Sequence, residues 1–168
     1  MINLGTQPCD QLKSLLCAQD LRDRGDGTVS SAYQNLLWQK CEGGQAWNGA
    51  CMGAVTTMPF CTSANNTCNG GSPTGTLSGT GNSQIYAYCN TLHLGERTWR
   101  VPTVAELQEL YRSTRIDSSL FPGLTATYYY SNLSASTTHA NAVLFSDGTA
   151  GMFLKATPLR IRCVSDGM

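Results

Sequence analysis

Trp99-Arg100-Val101-Pro102-Thr103-Val104-Ala105-Glu106-Leu107 is the stretch that decides the fold reading. Thr103 and Glu106 form a T-x-x-E capping box, in which each side chain satisfies a free backbone N–H at a helix start. Pro102 sets the direction in which the chain approaches that helix. Val104, Leu107, Leu110 and Tyr111 then recur at helical spacing, which predicts a helix running to about Arg112. Upstream, Gln84 to Leu92 (QIYAYCNTL) reads as a second helix carrying Cys89. Downstream, from Thr127, the pattern turns to β. Tyr128–Tyr130, Ala142–Phe145, Gly151–Leu154 and Leu159–Val164 read as short strands, with a turn at Ser146-Asp147-Gly148. Further upstream, Arg24 to Gln39 reads as strand, polar turn, strand, from Thr28-Val29 and Leu36-Leu37-Trp38. The order predicts an α+β domain, two main helices packed on a mostly antiparallel twisted sheet.

The chain has 168 residues, enough for one domain with a short appendage. Residues 1–24 are read as an N-terminal helical extension and residues 25–168 as the domain. Cys9 to Asp20 has Leu12, Leu15 and Leu16 on one helical face. Lys40 to Gln84 is poor in hydrophobes and holds four of the eight cysteines, so bridges stand in for core there.

Eight spread cysteines with no C-x-x-C pair predict four disulfides rather than zinc or redox chemistry. Cys41 with Cys51 and Cys61 with Cys68 are the nearest-neighbour pairings. Cys9 and Cys17 stand two turns apart on a regular helix, too far for a bridge inside it. They pair only if that helix is short or bent, and otherwise each reaches elsewhere.

Disulfides imply export through an oxidising compartment, hence a secreted or cell-surface location. Met1 to Gly5 is unlike a signal peptide, so the expectation is a removed leader or an excised piece. Lys+Arg 11 balances Asp+Glu 11, which argues against nucleic acid and anionic membranes as partners. No stretch approaches the ~18–20 apolar residues of a membrane span. Arg24-Gly25-Asp26 reads as a turn at a strand entrance rather than an integrin motif.

Several blocks in order resemble the bacterial Lcl C-terminal domain family. They are Asp26-Gly27-Thr28-Val29, Leu37-Trp38-Gln39-Lys40-Cys41, and Gly44-Gln45-Ala46-Trp47-Asn48-Gly49 with Cys51 behind it. Trp99 to Thr103 with Glu106-Leu107, Phe145-Ser146-Asp147-Gly148 and Arg162-Cys163-Val164 complete the set. The resemblance implies a disulfide-stapled variant of the C-type-lectin-like fold, related to formylglycine-generating-enzyme-like domains. It also implies a long bridge from Cys89 to Cys163, pairing of the terminal strands, and a long irregular loop that presents ligand. The chain departs from the family pattern at Tyr129-Tyr130 before Ser131-Asn132, where the family has Tyr-Trp before Ser-Ser. The segment with Cys9 and Cys17 lies outside the match.

The expected function is extracellular binding, not catalysis. The target is a glycan or surface protein, reached through the long loop and sheet edge. The rival reading is a pilus- or fibre-associated assembly module that binds sibling subunits or copies of itself. No acidic and amide cluster offers the six to eight oxygens that calcium takes, so neither metal nor cofactor is expected. His93 and His139 have bland settings, at a helix end and on a polar loop, and no nucleophile elbow is present. Ser113 to Asn141 reads as a long polar loop, with Tyr129, Asn132, His139 and Asn141 as ligand-binding candidates. Strand alternation sends Tyr128 and Tyr130 toward the core and Tyr129 outward. Lys155, Arg160 and Arg162, with Arg112 and Arg115, form a candidate patch for sulfated glycans.

Overall fold

A computed structural model describes residues 21–62, 67–69, 72–78, 82–114 and 118–167. The helical segment read in residues 9–20, with Cys9 and Cys17, lies outside the described residues, as does Arg115.

Strands β1 (Leu21–Asp23), β2 (Thr28–Ser31) and β3 (Leu36–Gln39) form one antiparallel meander. Leu21–Asp23 therefore belongs to the sheet although it falls inside the segment read as a helical extension. Val29 and Trp38 face each other across β2 and β3, both fully buried. A two-stranded ribbon follows, β4 (Ala46–Trp47) with β5 (Cys51–Met52). A short strand β6 (Gly75–Thr76) joins a second sheet of order β6-β7-β8-β9, completed by β7 (Tyr128–Ser134), β8 (His139–Leu144) and β9 (Ala150–Leu154). The last strand, β10 (Val164–Asp166), returns to β3, so both ends of the domain share one sheet.

Two helices link the halves. α1 (Gln84–Asn90) starts at Ser83, whose Oγ accepts from the Tyr86 N–H, and buries Ile85 and Cys89. α2 (Val104–Thr114) carries the predicted capping box. The Glu106 N–H donates to Thr103 Oγ1 at 3.2 Å, and the Thr103 N–H to Glu106 Oε2 at 2.7 Å. Arg100 extends the box in a way that the local pattern does not show. It grips Glu106 through two guanidinium nitrogens and also donates to Asp166 on β10. The Arg100 guanidinium holds the carboxyls of Glu106 and Asp166 below their ordinary range. The start of α2 is thereby tied to the end of the chain. Thr103→Ala is expected to cost about 1 kcal/mol, since it removes one cap acceptor and leaves the Arg100–Glu106 pair in place. Thermal melts check it, and an unchanged melt rules out the cap's contribution.

Three disulfides match the expected pairings: Cys41–Cys51, Cys61–Cys68 and Cys89–Cys163. The long bridge ties α1 to the stretch just before β10. That stretch, residues 159–163, departs from the strand expected over Leu159–Val164. It threads between the two sheets, and its backbone bonds in turn to Met58, Tyr128, Tyr130, Gly43 and Gln39 before pairing with Arg100. Ile161, Arg162, Cys163 and Val164 are all fully buried there. Between β8 and β9 the expected turn is present, with the Gly148 N–H donating to Leu144 O.

The middle of the second sheet is covered on both faces. Tyr130, Ala140 and Ala142 face a core with Phe60, Ile85 and the Cys61–Cys68 loop. Tyr129, Val143 and Phe145 face Leu107, Leu110 and Tyr111 of α2. Among the described residues no helix is long and apolar enough to cross a membrane.

Candidate functional site

The double cover explains why the tyrosine cluster differs from its expected arrangement. Alternation does separate Tyr128 and Tyr130 from Tyr129, but the outward direction meets α2 rather than water. Tyr129 is fully buried, its ring 4.7 Å from Phe145, and its hydroxyl donates to Glu42 Oε1 at 2.9 Å. Burial pushes its phenol pKa upward. Tyr128 is the more exposed of the three, half-buried against Phe153. Tyr129 is therefore a core residue.

The long loop from Ser113 to Asn141 is replaced by structure. α2 runs to Thr114, a 3-10 turn spans Ser118–Leu120, and β7 occupies Tyr128–Ser134. Only residues 135–138 connect β7 to β8. Asn132 sits at an irregularity in β7, its N–H donating to Pro102 O and its carbonyl accepting from Leu77. His139 and Asn141 are half-buried on one face of β8, opposite Leu154 and Met152 of β9.

The anionic-glycan patch also dissolves. Lys155 is 1% exposed, its ammonium directed at Pro73 O, and burial pulls its pKa down. Arg162 is fully buried and pairs with Glu42. Arg160 lies half-buried beside the same carboxylate, at 3.7 Å. Arg112 pairs with Glu109. Arg160 and Arg162 point into the seam between the sheets, where both meet the buried carboxylate of Glu42.

A different place in the fold combines an aromatic surface with polar groups. A cleft of about 250 Å³ lies between the β4–β5 ribbon and the end of α1. Trp47, Tyr88, Leu92 and Leu94 supply its apolar wall, and Gln39, Gln45 and His93 its polar one. Each side chain has a local reason for its position. Gly27 has a φ of +86°, and a Cβ there would lie 2.5 Å from Trp47 Cγ, so only glycine seats the indole. Lys40 Nζ stands 4.7 Å from the centre of the Trp47 ring and pairs with Asp23. The Cys41–Cys51 bridge closes the ribbon beside it, since Cys51 is the cross-strand partner of Trp47.

Gln39 donates through Nε2 to the Tyr88 hydroxyl at 2.7 Å and accepts at Oε1 from the Cys163 N–H. That contact fills one acceptor site of the Tyr88 oxygen, and its own O–H proton can be given to a ligand. Gln45 is clamped between the Glu42 N–H and Gly53 O. His93 is exposed at the rim, on a segment held by the bond from Trp99 Nε1 to Leu94 O at 2.9 Å. The cleft is thus a rigid indole and phenol surface with a hydroxyl donor and an imidazole at hand.

Three blocks of sequence meet here: Gly27 from the first, Gln39 to Cys41 from the second, and Gln45 to Trp47 from the third. The model of the Lcl C-terminal domain matches residues 27–165, the same span that carries those blocks. The chain belongs to the Lcl C-terminal domain family. No curated protein matches it. In this Lcl domain the Gly44–Gly49 block builds the cleft wall, and the Trp99–Leu107 block builds the Arg100-anchored cap of α2.

Reading from sequence passed over Trp47, Tyr88 and His93 as ligand residues. One signal was present: a lone tryptophan in a polar, glycine-flanked, disulfide-closed segment has no local core to fill. Tyr88 and His93 had no such signal, since only the packing of α1 brings them opposite Trp47. Among the described residues no group of three or more metal-ligating side chains is clustered.

Proposed function

We propose that this Lcl domain is an exported bacterial surface module that binds a glycan through the Trp47–Tyr88 cleft, on a C-type-lectin-like scaffold. The observation that carries the reading is the cleft itself. Sugar rings present an apolar face that packs on aromatic rings and hydroxyls that bond to nearby polar groups. Three disulfides support export to an oxidising compartment. Their pairing leaves no free thiol among the described cysteines. The pairing of β10 with β3 and the bridge from α1 to the chain end support the lectin-like scaffold. The ligand class is a neutral sugar, because among the described residues no Lys, Arg, Asp or Glu lines the cleft.

A glycan array with neutral and sulfated oligosaccharides tests this reading. Saturable signal on neutral glycans is expected, weakened at least about ten-fold by Trp47→Ala, a loss that corresponds to roughly 1.4 kcal/mol. Tyr88→Phe removes the hydroxyl donor alone and is expected to weaken binding less. Undiminished binding by a folded Trp47→Ala protein places the site elsewhere, and silence across the array removes the glycan reading.

A further inference from the structure

β9 is the end strand in the order β6-β7-β8-β9 among the described residues. Natural edges are usually blunted by charge, proline or a bulge. Ala150-Gly151-Met152-Phe153-Leu154 has no charge and no proline, and its register with β8 is unbroken. Met152 is 67% exposed and Leu154 56% exposed, both on the face that carries Asn141 and His139.

The hydrogen-bond pattern shows which backbone groups are on offer. At the ends of the β8–β9 ladder, Leu144 N donates to Thr149 O and Lys155 N donates to Thr138 O. Bonds in an antiparallel ladder alternate, so Ala150, Met152 and the Leu154 N–H point away from β8. The Leu154 carbonyl is turned inward, accepting from Tyr130 Oη at 3.1 Å and Thr157 N at 2.9 Å.

We infer that β9 pairs with β9 of a second copy of this chain, antiparallel, about a two-fold axis at Met152. The strand is complementary to itself in that register. Met152 exchanges both of its bonds with Met152 of the second copy, and each Leu154 N–H donates to Ala150 O across the axis. Large residues then meet small ones: Leu154 lies opposite Ala150, and Phe153 opposite Gly151. Charges do not collide, because Asp147 falls opposite Thr157 and Lys155 opposite Thr149. An isologous contact of this kind closes at two copies.

Sedimentation of the full chain over about a hundred-fold range of concentration reads the association by mass action. The expected result is a mass that rises toward twice the 18.0 kDa chain. Met152→Lys is expected to return it to one chain without altering the melt, since the register sets two ammonium groups face to face. Met152→Cys supplies a second measurement. Paired residues about 5.5 Å apart in Cα are within disulfide range, so a reducible dimer joined at position 152 is expected on a non-reducing gel and in peptide maps. A protein that stays at one chain mass and forms no such cross-link overturns the inference. So does a dimer that persists in a folded Met152→Lys protein, and so does a monomer whose β9 takes a strand from a different protein.

Discussion

Replacing Cys89 and Cys163 together by serine is expected to lower the unfolding free energy by about 4 kcal/mol. The size follows from the loop the bridge closes, 74 residues along the chain, and from what that loop restrains. Without it the unfolded chain regains freedom over nearly half its length, while the folded state loses a staple inside its core. Both half-cystines are fully buried, so no solvent contact offsets the loss. The two short bridges close loops of sequence separation 10 and 7, for which the same chain-entropy argument gives a smaller effect. Urea unfolding of the three double-serine variants measures the order. A Cys89/Cys163 variant that unfolds at the wild-type midpoint contradicts the expectation.

The second large effect belongs to a residue that carries no signal in the sequence. Glu42 is fully buried, and its Oε1 accepts from both Tyr129 Oη and Arg162 Nη2. Arg162 is as deeply buried. Its Nη1 donates to the carbonyls of Gln39 at 2.7 Å, Lys40 at 2.7 Å and Cys41 at 3.2 Å, and its guanidinium lies 4.8 Å from the Phe121 ring centre. Three carbonyls and one carboxylate thus compensate Arg162, and Arg160 Nη1 stands 3.7 Å from the same carboxylate. Glu42→Ala removes the carboxylate that pairs with Arg162 and leaves the guanidinium buried, which costs roughly 3–5 kcal/mol. Tyr129→Phe removes one hydrogen bond from the same carboxylate, at about 1–2 kcal/mol. Denaturant midpoints for the two variants give the comparison. Equal, small shifts for both would mean that the charge is neutralised by other means.

The long bridge was implied by the family resemblance, whereas no local pattern points to Glu42 and its partners. The capping box at Thr103 and Glu106 was legible because its partners lie three residues apart and its geometry is that of one helix turn. The Cys41–Cys51 and Cys61–Cys68 bridges follow from short separations in a segment with little core of its own. The strand pair at Thr28–Ser31 and Leu36–Gln39 follows from a polar turn between apolar runs. Arg100 belongs to the Trp99–Thr103 block, yet its grip on Asp166 spans 66 residues and no local pattern reports it. Strand alternation turns Tyr129 away from Tyr128 and Tyr130, but α2 covers the face it reaches, which no local pattern around Tyr129 reports. Lys155 and Arg162 were expected outside because charged side chains usually are, unless a buried partner such as Glu42 receives them.

By itself the sequence determined the α+β order of elements, the capped helix, the two local bridges and, through its motif blocks, the Lcl family. All of these rest on neighbours within a few turns or on an ordered run of residues. Only the tertiary structure decided which surfaces are left for binding. Trp47 and Tyr88 lie 41 positions apart and meet across one cleft, and among the described residues β9 ends its sheet while the chain after it runs on to β3. Exposure is a property of what covers a residue, and the covering elements here come from distant parts of the chain.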